Sequence, residues 1–183
     1  MTTIRPETAE DYAAIRDVNA LAFGREEEAR LVEALRGLPE FIPELSLVAV
    51  EGGKVVGHIL FSPMVIETKS GAVPALGLAL LAVRPEFQNQ GIGSALARDG
   101  LERCRNLGHR IVVVVGHPAY YPRFGFSPAR AQGLEAPFPV PDEAFLALAL
   151  VPGGLDGVAG MIRYPPPFSE VPPNPPDPSL RTR

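Results

Sequence analysis

Apolar residues recur every three to four positions over 11–21 (Ile15, Val18, Leu21) and again over 26–35 (Leu31, Val32, Leu35). That period predicts two helices, each burying one face. Glu26, Glu27 and Glu28 open the second, where carboxylates favour the positive end of a helix. The pattern then turns extended. Stretches 46–50 and 55–61 are rich in strand formers and are separated by Glu51-Gly52-Gly53-Lys54, which predicts a hairpin. Residues 73–83 form a long apolar run interrupted by Gly77, read as a central strand with a bulge at the glycine. Helical spacing returns over 93–107, with Ile92, Leu96, Gly100, Cys104 and Leu107 on one stripe and Gly108 as terminator. Ile111–Val115 is five successive β-branched residues, hence a strand buried on both faces. Stretches 145–151 and 158–164 read as a closing strand pair around Pro152-Gly153-Gly154. This order predicts a mixed α/β domain over 1–164.

Composition bounds the remainder. At 183 residues the chain has room for one domain and a short appendage. Eight of its 21 prolines lie in 165–183, so backbone donors are scarce there and the tail is expected to be a surface strap or disordered. A docking segment for a proline-reading module is the alternative. Cys104 is the only cysteine; it excludes an intramolecular disulfide and a cysteine-based zinc site, no metal is expected, and the expected location is the cytoplasm. No apolar run approaches the ~18–20 residues of a membrane span, and acids throughout the first thirty residues argue against a secretory signal. A net charge of −4 argues against nucleic-acid binding. The charge is nonetheless segregated. Residues 84–130 carry seven arginines against three acids, whereas 1–83 and 131–183 are acidic. A basic middle of this kind suits a multiply charged anion, although uneven surface charge explains it equally well.

One segment carries specific chemistry. In Leu81-Ala82-Val83-Arg84-Pro85-Glu86-Phe87-Gln88-Asn89-Gln90-Gly91-Ile92-Gly93-Ser94 a strand ends, a polar loop follows, and two glycines open a helix. The first N–H groups of a helix have no internal partner and sit at its positive end. Glycines there let a phosphate approach them. A P-loop is excluded because no lysine follows Gly93. A dinucleotide fingerprint is excluded because the next strand has no acid.

Gln88-Asn89-Gln90-Gly91-Ile92-Gly93 fits a Q/R-x-x-G-x-G/A signature, and Tyr121-Pro122-Arg123-Phe124-Gly125-Phe126 repeats the tyrosine-to-Gly-Phe spacing of a later motif. On these residues the chain resembles the GNAT superfamily of N-acetyltransferases, most specifically over 78–128. The resemblance implies a GNAT-like fold: a central mixed sheet flanked by helices, with two parallel strands splaying apart around acetyl-CoA. It implies that Leu81, Ala82 and Val83 pair with the pantetheine arm and that Gln88, Asn89, Gln90, Gly91, Ile92, Gly93 and Ser94 hold the pyrophosphate. Tyr121 and Phe124 join the cofactor-contacting set. Arg84, Arg98 and Arg123 are candidates for the phosphates. The implied partners are acetyl-CoA and a small-molecule or peptide amine, with the protein a monomer or homodimer.

Amine acetylation needs a base, because an alkylammonium near pKa ~10.4 is almost wholly protonated at neutral pH. It also needs a donor for the departing thiolate. The resemblance implies that Tyr121 is that donor; full proton transfer from a phenol to a thiolate is uphill by roughly 2 kcal/mol, so a strengthening hydrogen bond suffices. The run 76–83 contains no acid, although relatives often carry a glutamate there. His117 has a suitable intrinsic pKa, or else caps its turn. His58 is a second candidate, or else a hydrogen-bonded core group, and Glu44 and Glu86 are options through a water. Tyr120 is expected to be the packing residue of the tyrosine pair. The acidic first half favours a cationic acceptor. Two alternatives remain: a non-catalytic acyl-CoA-binding or sensing domain, and an acyltransferase with a different donor or acceptor.

Overall fold

The computed structural model of the chain describes residues 1–171. The three helices, α1 (Tyr12–Phe23), α2 (Glu27–Arg36) and α3 (Ile92–Asn106), lie where the apolar stripes predict them. The strands are β1 (Thr2–Pro6), β2 (Ser46–Glu51), β3 (Lys54–Thr68), β4 (Gly71–Val83), β5 (Ile111–Val115), β6 (Ser127–Pro128), β7 (Leu134–Glu135), β8 (Phe145–Ala149) and β9 (Gly160–Arg163). They join in one mixed sheet of order β1-β2-β3-β4-β5-β8-β6, with β9 pairing both β3 and β7.

Three expectations need correction. β1 was not anticipated; Ile4 is its only aliphatic core former, and pairing to β2 rather than periodicity makes it a strand. The bulge in β4 lies at Ala79 and not at Gly77, because Leu60 faces Leu80 while Phe61 faces Leu78. Gly77 has another reason: a Cβ there would run into the Met64 side chain. Finally, β8 and β9 do not pair with each other. β8 pairs β5 and β6, and β9 pairs the far end of β3. β3 is fifteen residues long and therefore accommodates β2 and β9 in succession along one edge.

Alternation along β3, reset by a bulge at Val56 where Ala49 faces Gly57 and Val50 faces Val55, separates the two faces of the sheet. Val56, Ile59 and Phe61 join Ile92, Leu96, Ala97 and Leu101 of α3, whereas Val55 and Leu60 join Ile15, Val18, Leu31, Val32 and Leu35 of α1 and α2. Helix α3 lies directly on the strands at Gly57 and Gly100, where a Cβ would meet Leu96 and Phe61 respectively. Leu96 is fully buried, a contribution of about 2 kcal/mol. Cys104 is also fully buried on this helix, and desolvation pushes its thiol up to about 12.

A buried polar chain ties the first strand to the helices. Arg36 Nε donates to Glu7 at 2.7 Å, Ser46 Oγ donates to the same carboxylate at 2.6 Å, and Ser46 Oγ lies 2.9 Å from His58 Nε2. Asn19 Nδ2 donates to the Ile15 carbonyl at 3.0 Å and lies 3.2 Å from His58 Nδ1. The amide therefore donates to Nδ1, and His58 keeps its proton on Nε2 for Ser46. Burial holds His58 below its usual range, in the neutral form. Burial also acts to raise the Glu7 pKa, but the His58 ring 3.6 Å away and the hydrogen bonds from Arg36 and Ser46 outweigh it and set the value at about 2.

Both groups act in the same direction with pH. His58 is neutral when folded and takes a proton when unfolded below pH ~6.5, while Glu7 stays ionised when folded and protonates when unfolded below about 4.5. The urea midpoint is expected to hold above pH 6.5 and to fall progressively as the pH drops from there toward 2. Glu7→Gln, which leaves Arg36 unpaired, is expected to cost about 3 kcal/mol at pH 7 in the same titration.

Candidate active site

The parallel pair β4–β5 is a place where two neighbouring strands of the sheet part. Its register consists of Leu76 with Val112 and Gly77 with Val113 and then stops, while β4 continues to Val83 and β5 to Val115. From Leu78 onward, β4 has β3 on one edge and no paired strand among the described residues on the other. Arg84 N–H donates to the Val56 carbonyl on β3. Backbone alternation therefore aims the N–H and C=O of Val83 and Leu81 into the split, while the peptide groups of Ala82 face β3. Of the three strand residues expected to pair with a ligand, two present their main chain to the opening. The Val83 carbonyl already accepts from Gln88 Nε2 at 3.0 Å.

The N-terminus of α3 stands at the end of this split. Asn89 has φ +62°, the only positive value among non-glycine described residues, and Gly91 follows with φ +83° as the N-cap. This left-handed turn folds the loop back so that the first N–H groups of α3, from Ile92, Gly93 and Ser94, point outward with no side chain capping them. The Gln90 side chain is used locally, donating to the Glu86 carbonyl. The Ile92 side chain is buried in the core, so only its main chain faces the opening. Gly93 leaves room that a side chain would fill, since a Cβ there would sit 3.1 Å from the Tyr120 hydroxyl and 3.6 Å from Val83.

The loop after β5 brings an aromatic group to the same place. Tyr120 is half-buried, with its hydroxyl 3.3 Å from Ser94 Oγ. Tyr121 is the deeper ring, packed edge-on to Tyr120 and Phe126 with centroids at 5.2 and 5.7 Å. The expected packing order of the pair is thus reversed: Tyr121, not Tyr120, fills the core. Gly116 makes this possible, because any Cβ there would overlap the Tyr121 ring. Desolvation, aided by the neighbouring Tyr120, raises the Tyr121 pKa far above the ordinary phenol value, so it stays a neutral hydrogen-bond donor at every physiological pH. Phe124 lies beside Tyr120 at 5.3 Å, under the Arg98 guanidinium. Arg123 stacks on Tyr120 at 4.4 Å. Arg84 differs, because its Nε donates to the Val55 carbonyl at 3.0 Å.

The candidate bases separate on their surroundings. His58 has both ring nitrogens engaged in the buried chain described above, which makes it the hydrogen-bonded core group. Glu86 is exposed and lies 3.7 Å from Lys54. His117 follows β5 and accepts the Ala119 N–H on Nδ1 at 3.4 Å, while its carbonyl accepts from Tyr120. That is a turn-capping arrangement with one long bond. Several carboxylates of the first half are paired with arginines of the same segment, which leaves its net negative charge unchanged. Arg16 bridges Glu26 and Glu33, Arg25 pairs Glu28, Arg36 pairs Glu7, and Arg5 pairs Asp11. Among the described residues no cluster of three or more His, Cys, Asp or Glu is placed to hold a metal ion, and no helix is long and apolar enough to cross a membrane.

Comparison with known proteins agrees with this geometry. Residues 3–129 match the family model of the acetyltransferase (GNAT) domain. The chain is 44% identical over 134 residues to the uncharacterised N-acetyltransferase YjhQ of Escherichia coli, covering 73% of this chain and 74% of that one. It is 33% identical over 162 residues to the uncharacterised N-acetyltransferase YhbS of the same organism, covering 88% and 95%. The crystal structure of E. coli YhbS in complex with CoA superposes with a TM-score of 0.85 at 32% identity over 92% of each chain. A GNAT family acetyltransferase from Brucella melitensis in complex with acetyl-CoA gives 0.75 at 35% identity, over 92% of this chain and 98% of that one.

The contact between Gly116 and Tyr121 sets the position of the deeper ring. Gly116→Ala is expected to displace that ring and cost about 1–3 kcal/mol, read as a lower denaturation midpoint, with Gly37→Ala, exposed and at negative φ, as a control for a glycine change outside this contact.

Proposed function

Because the chain belongs to the GNAT family of acetyltransferases, we propose that it transfers the acetyl group of acetyl-CoA directly to a primary amine of a small molecule or peptide. The observation that carries this reading is the open edge of β4 leading to an uncapped helix N-terminus. The peptide groups of Leu81 and Val83 suit an amide-bearing pantetheine arm, which would lie in the split as an added strand. The N–H groups of Ile92, Gly93 and Ser94 suit a diphosphate. Gln88, Asn89, Gln90 and Gly91 shape the loop that presents them. Arg98 and Arg123, stacked on Phe124 and Tyr120, supply positive charge at the same end.

In the transfer the amine nitrogen attacks the thioester carbonyl, the carbon–sulfur bond breaks, and the nitrogen loses a proton. A main-chain N–H of β4 at the split stabilises the oxyanion. Tyr121 donates a hydrogen bond to the departing thiolate. Its raised pKa makes complete proton transfer more costly than for an ordinary phenol and favours a shared hydrogen bond. We assign the amine's proton to His117, whose single long bond to Ala119 is readily given up. The catalytic unit is 1–164 with the turn 166–170 packed against it, the rest of the expected tail from 172 lies outside the described residues, and the lone, buried cysteine fits a cytoplasmic setting.

Tyr121→Phe is expected to lower kcat at least about tenfold with the dissociation constant for CoA unchanged; wild-type turnover overturns the donor role. Gly93→Val, which fills the space beneath the Tyr120 hydroxyl, is expected to weaken CoA binding in calorimetry by about tenfold or more while the folding midpoint moves little. CoA uptake by the wild type without thiol release on any amine favours the sensing domain instead.

A further inference from the structure

Seven arginines lie between residues 84 and 130, and the fold uses four of them. Arg84 and Arg105 donate to the Val55 and Leu150 carbonyls on other elements. Arg103 pairs Asp99, and Arg130 pairs Glu135 and Asp142. Arg110 precedes β5, at the end of that strand away from the split. Arg98 and Arg123 are left. Both are exposed and neither has a carboxylate partner among the described residues. The acids around them do not compensate them. Asp99 is held by Arg103, Glu102 lies one turn after Arg98 without forming an ion pair, and the stretch 116–129 contains no acid at all.

These two cations belong to one surface with the N-terminus of α3. Arg123 Cζ stands 4.4 Å from the Tyr120 ring centroid and Arg98 Cζ 5.3 Å from that of Phe124. The two rings meet edge-on at 5.3 Å, and the Tyr120 hydroxyl lies 3.3 Å from Ser94 Oγ in the first turn of α3. Arg123 Nε donates to the Tyr120 carbonyl at 3.0 Å, which fixes the guanidinium and leaves its terminal amino groups free. Arg98 makes no hydrogen bond to the described residues, so its whole donor fork is available.

Their places differ along the helix. Tyr120 brings Arg123 to the first turn itself, beside the outward N–H groups. Arg98 is one turn beyond Ser94, about 6 Å along the axis, on the same side of α3. The ligand of the acyl-transfer reading carries two separate anionic groups at its nucleotide end, a diphosphate and a ribose 3′-phosphate, with one ribose ring between them. A diphosphate at the N-terminus of α3 therefore leaves the 3′-phosphate in need of a cation about one turn away. Arg98 stands at that spacing, and its planar fork suits two phosphate oxygens at once.

We propose that Arg98, seated on Phe124, binds the ribose 3′-phosphate and makes the protein select CoA over dephospho-CoA, whereas Arg123 and Tyr120 serve the diphosphate that both ligands share. The proposal rests on the acyl-transfer reading above. Calorimetry with CoA and with dephospho-CoA is run on the wild type, Arg98→Ala, Arg98→Gln, Arg123→Ala and Arg103→Ala. The wild type is expected to bind CoA at least about tenfold more tightly than dephospho-CoA. Both Arg98 variants are expected to bring that ratio to about threefold or less; the glutamine keeps a polar stem over Phe124 and removes only the charge. Arg123→Ala is expected to weaken both ligands and preserve the ratio, and Arg103→Ala, on the same helix but engaged by Asp99, to change neither. Equal affinities in the wild type, a ratio that survives in either Arg98 variant, or a ratio that collapses in Arg123→Ala overturns the proposal. So does an equal loss of both ligands in the Arg98 variants, which places Arg98 at the shared diphosphate. Failure of the wild type to take up either compound overturns the acyl-transfer reading itself, and this proposal with it.

Discussion

A strand edge inside a protein must find hydrogen-bond partners, and β4 has none on one side after Gly77. Every other consequence in this fold follows from that unfinished ladder. The peptide groups of Leu81 and Val83 are held in extended geometry by β3 and left open toward β5, so a ligand with alternating amides completes what the chain leaves incomplete. The bulge at Ala79 lies where β4 begins to depart from β5 and changes the local strand twist there. The aromatic loop after β5 and the N-terminus of α3 close the far end of the same opening.

The surroundings of the opening are held by contacts that leave little freedom. Helix α3 is seated on the sheet through Gly57 and Gly100, which fixes the height of its N-terminus above β4. On the opposite face the Glu7–Ser46–His58–Asn19 chain joins β1, β2, β3 and α1. A single buried side-chain oxygen among the described residues, Asn19 Oδ1, lacks a partner. Such networks are costly when broken and contribute more to register than to net stability. A histidine with both ring nitrogens engaged in this way is structural, and β4 carries no acid between Leu76 and Val83.

The helices, the hairpin and the buried strand β5 were legible because each is written in local spacing: apolar stripes at three to four, a Gly-Gly turn, and five β-branched residues in a row; the divergence of β4 from β5 was implied only by the family resemblance. The cradle was legible because glycines at a helix start have few other uses. What escaped depends on partners distant in sequence. β9 pairs with Val65–Thr68, nearly a hundred residues earlier, and no local pattern distinguishes that from a hairpin with β8. Neighbouring tyrosines carry no mark of which one turns inward; Gly116, five residues before Tyr121, was the available signal. The charge count of the first half did not show which of its carboxylates its own arginines engage.

The burial of Cys104 has a practical side. At the mildly alkaline pH used with aromatic disulfide reagents, a thiol raised to about 12 and shut inside the α3 interface reacts negligibly while the fold is intact. The polypeptide then adds no colour of its own, so liberated coenzyme sulfhydryl can be counted directly. An equimolar yellow signal from the protein alone reports unfolding.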